Sequence, residues 1–197
     1  MFVKNVAFVF IFFLCTCLLS SYTVISINDL KNKMNIYRTC FAKENERSVT
    51  KTNVKIKDVV TNIYNSGNHY LRLNFKTGIL YPSYYIVISD VLCIDFFDKV
   101  HNRIFSASCT KLRYSEEYKL IEFSGNVTIV MENTKERINV ENVIFDMSDG
   151  KFYSDAEIVI TRGDNDIMCG QGFIATSQLD VNIYNIKYHG KNDGIKK

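Results

Sequence analysis

The 197-residue chain has no tryptophan, a single proline and nine glycines. Collagen-like and proline-rich linker classes are excluded by that composition. Its three histidines (His69, His101, His189) lie far from any cysteine pair, and no Cys-x-x-Cys occurs, so a zinc site of ordinary spacing is not expected. No Gly-x-Ser-x-Gly elbow is present. Gly170-Gln171-Gly172 lacks the lysine and the following helical pattern of a phosphate loop, and reads as a bulge or a close backbone approach. Nor is there an excess of one charge. Lys+Arg 24 against Asp+Glu 21 gives +3, too balanced for a basic nucleic-acid-binding face. With 47% hydrophobic and 23% charged residues, wholesale disorder is also excluded.

What the chain has is Phe (14) and Tyr (12), together with many β-branched residues, and these favour strands. Before the strands comes an uncharged run, Val6 to Ile27, preceded only by Lys4. A helix of that length spans roughly 33 Å, enough for a hydrocarbon core of about 30 Å. Residues 1–27 therefore read as a short cytoplasmic tail and a transmembrane anchor. A cleaved signal peptide is the competing assignment, and a lipoprotein cysteine at Cys17 is a third. No Ala-x-Ala site follows the apolar stretch, which favours the anchor. The tail before the span is only five residues, which places the N-terminus inside and exports the rest. Residues 28–52, dense in charge, read as a linker with a short helix around Met34 to Lys43.

From Asn53 the period becomes two. Val54 and Ile56 alternate with lysines, and Asn65-Ser66-Gly67-Asn68 and Lys76-Thr77-Gly78 read as turns. The clearest alternation places Ile121, Phe123, Val127, Ile129 and Met131 on one face, opposite Glu122, Ser124, Asn126 and Thr128. Phe152, Ala156, Ile158 and Ile160 repeat it behind the hairpin turn Asp149-Gly150. An internal repeat relates these stretches. A shift of 31 lays Cys109 on Val140, Leu112 on Val143, Tyr114 on Phe145, Ile121 on Phe152 and Val127 on Ile158. A shift of 29 lays Ile138 on Ile167, Val140 on Cys169 and Phe145 on Ile174. A two-strand unit cannot bury its apolar face alone, so stacked hairpins in one elongated sheet are expected. Residues 53–190 form that domain and 191–197 a polar tail.

No catalytic set emerges. Asp164 and Asp166 read as a polar hairpin, Asp95 and Asp98 as charges at a strand end, and Asn126-Val127-Thr128 as a chance glycosylation sequon. Among Cys40, Cys93, Cys109 and Cys169, isolated thiols are expected over a Cys93–Cys109 disulfide. What remains is the apolar face: Ile121, Phe123, Val127, Ile129, Met131, Ile138, Val140, Val143, Phe145, Phe152, Ile158, Ile160 and Ile174. Periodicity alone fits either a closed sandwich core or an open groove for a lipid chain.

Four stretches carry a family cadence: Leu120-Ile-Glu-Phe-Ser-Gly-Asn-Val-Thr-Ile-Val, Arg137-Ile-Asn-Val-Glu-Asn-Val-Ile-Phe-Asp, Gly150-Lys-Phe-Tyr-Ser-Asp-Ala-Glu-Ile-Val-Ile and Ile167-Met-Cys-Gly-Gln-Gly-Phe-Ile-Ala. In order and spacing they resemble the lipopolysaccharide-export family of LptC, loosely over residues 53–188 and well over 105–176. The resemblance implies an all-β, V-shaped antiparallel jellyroll, open along an apolar groove and tethered as a single-pass protein of the bacterial inner membrane with its domain in the periplasm. It implies no enzymatic activity and no cofactor. Lipopolysaccharide acyl chains would ride in the groove, arriving from an inner-membrane ABC transporter of the LptB, LptF and LptG type. They would leave to a periplasmic bridge protein of the LptA type. Docking edges would lie near Val54 and Ile56 and near Val181, Ile183 and Ile186. The rival expectation is an exported, membrane-anchored β-sandwich that binds or adheres, with a closed core.

Overall fold

The structure, a computed structural model, describes residues 26–49, 53–65, 68–81, 85–98, 100–163, 166–176 and 180–191. The expected anchor lies outside these residues except at its last two, and so do Cys15, Cys17 and Asp164. Among the described residues no helix is long and apolar enough to cross a membrane.

The segment expected to be a linker is instead one 23-residue helix, α1 (Ile27–Val49). Its start is fixed by a capping box. The Ser26 hydroxyl accepts the Asp29 N–H at 3.1 Å, and the Asp29 carboxylate accepts the Ser26 N–H at 3.1 Å and its hydroxyl at 2.7 Å. Those hydroxyl and amide donors hold the Asp29 carboxyl below its ordinary value. Leu30, Met34, Tyr37, Phe41 and Glu44 fall at spacings of four and three and are all buried. Of the described charges that made the segment look like a linker, all but Glu44 lie off this stripe.

Among the described residues eleven antiparallel strands follow: β1 (Val54–Asn65), β2 (Asn68–Leu80), β3 (Tyr85–Phe97), β4 (Arg103–Ser108), β5 (Lys111–Ser115), β6 (Leu120–Met131), β7 (Arg137–Asp146), β8 (Lys151–Arg162), β9 (Asp166–Thr176), β10 (Val181–Ile183) and β11 (Tyr188–Lys191). They form a single sheet in sequential order, in which β4 and β5 together fill one position between β3 and β6, and β10 and β11 together flank β9. The sheet coils so that one face closes around the main core, which runs from Leu71, Leu73 and Phe75 on β2 to Phe173 and Ala175 on β9. Helix α1 lies on the other face. With Leu120, Ile144, Tyr153 and Ile174 it forms a second core.

Apart from shifts at Ile63/Tyr64 on β1 and Phe96/Phe97 on β3, the ladders break at one level. The pairing skips Asp58 on β1, separates β4 from β5 at Cys109–Thr110, and shifts at Ser124/Val127 on β6, Val140/Ile144 on β7 and Ser154/Glu157 on β8. At the margin, residues 184–187 separate β10 from β11. These interruptions are neighbours across the sheet, as the flanking pairs Ser124↔Asn142, Val140↔Ile158 and Ser154↔Phe173 show. They divide it into a half bearing the β5–β6, β7–β8 and β9–β10 turns and a half bearing the β3–β4, β6–β7 and β8–β9 turns.

Candidate functional site: the coiled interior and its seam

Of the thirteen residues expected to face the interior, twelve do. Ile121, Phe123, Val127, Ile129, Ile138, Val140, Val143, Phe145, Phe152, Ile158 and Ile160 belong to the main core, and Met131 packs partly buried against it. Ile174 is a correction: it faces outward, beneath α1. Its inward neighbours are Phe173 and Ala175. The reason is the offset: through Ile160 and Ile158 the sheet sets Ile138 and Val140 level with Met168 and Gly170, so a shift of 29 falls one residue short along the whole of β9 and lands on outward positions. The 31-residue shift holds: Leu112, Tyr114 and Ile121 map onto Val143, Phe145 and Phe152, all interior.

The interior is filled by its own side chains. Phe105 and Phe145 are fully inaccessible, and Phe152 is 1% exposed. Phe96 stacks on Phe105 with ring centroids 4.2 Å apart, and Phe145 lies 4.4 Å from Phe152. The two pairs meet edge-on, Phe96 to Phe145 at 5.7 Å and Phe105 to Phe152 at 5.5 Å. Such geometry suits the ring quadrupoles.

Access exists at the seam where the coiled sheet comes back over itself. A recess of about 590 Å³ opens between the end of β1 (Asn62, Ile63, Tyr64) and the β5–β6 and β7–β8 turns (Glu116, Lys119, Met147, Ser148), with Tyr114 behind. Its floor is the core: Tyr114 belongs to it, and Ile63 and Met147 pack against it. Its rim is polar, with Lys119 and Glu116 ion-paired. Tyr64, on the edge strand, is 60% exposed. The size falls within the range of ligand pockets, about 300–1,000 Å³.

The expected docking edges differ from each other. Strand β1 is a twelve-residue outer strand, with Val54 and Val60 exposed and Ile56 packed on the core. At the other margin Val181 and Ile183 lie on the three-residue β10 and pack inward. Ile186 belongs to no strand; it is 58% exposed in the connection to β11, which corrects its placement on an edge ladder. Short, interrupted edge strands resist strand addition, whereas long ones invite it.

The outer face is held by charges that sequence reasoning left in a linker. Arg38 grips Asp155 with two nitrogens at 2.6 and 3.0 Å. Arg47 grips Glu117 at 2.7 and 3.0 Å. Lys33 reaches Asp149 at 3.0 Å and the Tyr153 hydroxyl at 2.7 Å. Burial, then the hydrogen bond to Asp149, pushes the Tyr153 phenol above its ordinary range. The Arg113 guanidinium, ion-paired with Glu122, sits 4.9 Å above the Phe41 ring. Buried Glu44 accepts the Ser115 hydroxyl at 3.1 Å. These contacts dock α1 on the sheet.

Among the described residues, no three His, Cys, Asp or Glu side chains converge as a metal site would need. Asp95 binds Arg103, and Asp98 accepts the Val100 and Asn102 amides of the β3–β4 turn. Cys40, Cys93, Cys109 and Cys169 are all unbridged. Asn126 of the sequon is exposed, at φ 52° in the interruption of β6.

No protein-family model and no curated protein sequence matches the chain. Among solved structures it is similar to LptH of Pseudomonas aeruginosa, the LptA-homologous periplasmic component of a lipopolysaccharide transport device. The identity is 9%, over 68% of this chain and 83% of that one, with a TM-score of 0.26. At that score the overlap is too loose to bear on ligand or partner.

Proposed function

We propose that this chain is a non-enzymatic carrier of lipid acyl chains, a component of a lipopolysaccharide transport bridge of the LptC type. In this role it is tethered to the inner membrane through its N-terminal run and works in the periplasm. The observation that carries the proposal is the seam recess, a ligand-sized opening whose floor is the apolar core and whose wall is an edge strand. The four-stretch cadence resembling LptC supports it.

The energetics suit the role. A buried methylene is worth about 0.8 kcal/mol, so exposing a chain of about a dozen carbons to water costs on the order of 10 kcal/mol. An apolar interior offsets that cost and lets a chain pass from one protein to the next with little net change. Direction then comes from an ATP-driven partner of the LptB, LptF and LptG type. Strand β1 is the margin that would dock on it, and the β10–β11 margin would face an LptA-type acceptor.

In-cell photocrosslinking tests this, with a light-activated residue at Tyr64 on the seam and at Ile36, equally exposed on α1, as control. A lipid adduct at position 64 and not at 36 is expected. Normal abundance with no adduct at either position overturns the proposal. It would favour the second reading, an exported binding module with a closed core, for which the full burial of Phe105 and Phe145 is the supporting observation.

A further inference from the structure

The interruptions of the eleven strands carry the left-handed residues of the sheet. Among the described residues, five with positive φ lie at the end turns: His101, Lys119, Lys135, Gly150 and Gly163. The other five are Asp58, Gly125, Asn126, Gly172 and Asn185, and each falls on the transverse line where the ladders break. Three of the five are not glycine, a conformation that side chains adopt at a cost when the surrounding structure holds them there. A bulge bends its strand and leaves a residue out of the ladder. Interruptions lined up across neighbouring strands make a line along which the sheet bends with the fewest inter-strand hydrogen bonds to break.

The two sides of this line are built differently. On the side of the β7–β8 turn, α1 crosses the outer face from Gly172, where a Cβ would lie 2.9 Å from Ile27, to Glu117. That half therefore has packing on both faces, whereas the other half has the main core alone. The halves are joined inside by the phenylalanines. Phe96 and Phe105 stand on the far segments of β3 and β4, which pair with each other. Phe145 and Phe152 stand on the α1-side segments of β7 and β8. The contacts of Phe96 with Phe145 at 5.7 Å and with Phe152 at 5.5 Å cross from one half to the other.

We infer that the line is a hinge and that the four rings are its latch: the halves pivot about Asp58, Gly125–Asn126 and Gly172, and parting Phe96 and Phe105 from Phe145 and Phe152 opens the interior. The hinge stands on this geometry alone. That the opening admits an acyl chain rests on the transport function proposed above.

Spin-label distances in the full chain test it, with labels installed as unnatural residues so that the native cysteines remain. One pair, Thr134 and Ser148, spans the line; the control pair, Lys119 and Asp180, lies within the α1 half. The wild type is expected to show a single distance for each pair. Phe96→Leu, which keeps apolar volume but removes the ring contacts, is expected to add a second, longer distance for Thr134–Ser148 only. Phe105→Leu serves in its place if Phe96→Leu does not fold. Palmitate added to the wild type is expected to produce the same second distance. If both pairs change together in the leucine variant, or neither does, the hinge is overturned. If the variant opens and palmitate neither binds nor shifts the wild type, the hinge stands and the lipid function falls.

Discussion

The Tyr37 hydroxyl, on the face of α1 that meets the sheet, donates a 2.7 Å hydrogen bond to the Asp146 carboxylate at the end of β7. Burial works to raise the Asp146 pKa, but this hydroxyl and the Ser148 amide more than offset it, leaving the carboxyl below its ordinary 3.8. On Tyr37 burial comes first and the bond to Asp146 second, and both push the phenol well above its ordinary 10.0. The pair thus resists ionisation change at both ends of the pH scale.

The linkage follows in sign. Folded Asp146 binds its proton more weakly than the unfolded chain does, so its contribution is complete above about pH 4 and is lost as pH falls through the folded value. Folded Tyr37 binds its proton more tightly, so its contribution is complete below about pH 10 and declines above it. In urea titrations, Tyr37→Phe is expected to lower stability by about 1–2 kcal/mol at pH 7 and to lose less than the wild type at either extreme. Equal pH slopes in the two proteins would count against the pairing.

Helix α1 is part of the domain, and its apolar stripe carries the docking. Phe41→Ala is expected to cost about 3–5 kcal/mol, because Phe41 is fully buried. Arg38→Ala is expected to cost about 1 kcal/mol, since the Arg38 side chain is 42% exposed, with Asp155 at 17%. Thermal melts of the two variants check the order, and a reversed order would make the helix an electrostatic attachment.

Two glycines at positive φ separate conformation from contact. At Gly150, φ 68°, a Cβ meets nothing within 4 Å, and Gly150→Ala is expected to cost about 1 kcal/mol. At Gly172, φ 81°, a Cβ would lie 2.9 Å from Ile27, 3.0 Å from Leu30 and 3.3 Å from the Ser154 carbonyl. Gly172→Ala is therefore expected to cost about 1–3 kcal/mol more. Chemical denaturation of the pair measures the difference.

Burial pushes the Cys109 thiol up to about 11. The thiolate is the reactive form, so at pH 8 Cys109 is expected to react with Ellman's reagent only as fast as the protein opens. Trapping Cys109 by mass spectrometry in rising urea should show its labelling tracking global unfolding. Rapid labelling in native buffer would overturn its place in the core.

Much of the sheet could be read from alternation. The face of Ile121, Phe123, Val127 and Ile129 is interior, and Ile144 points opposite to Phe145, because strict period two survives where each strand is regular. It fails at Ile174, because a shift of 29 is one residue short of the pairing that sets Ile138 level with Met168, and a repeat of side-chain type does not fix the offset to one residue. Helix α1 was visible in two signals outweighed by charge density: Ser26-x-x-Asp29, and the apolar stripe Leu30, Met34, Tyr37 and Phe41. Whether the interior is trough or core could not be read at all. The contacts that fill it pair Phe96 and Phe105 with Phe145 and Phe152, across dozens of residues of chain.

Because α1 lies across the strands and not along them, the domain has a particular mechanical grain. Tension applied at Ser26 enters a helix fastened at Glu117 and Asp149 in the β5–β6 and β7–β8 turns, at Asp146 at the end of β7 and at Asp155 within β8. Such a load shears many side-chain contacts at once and cannot unzip one ladder from its end.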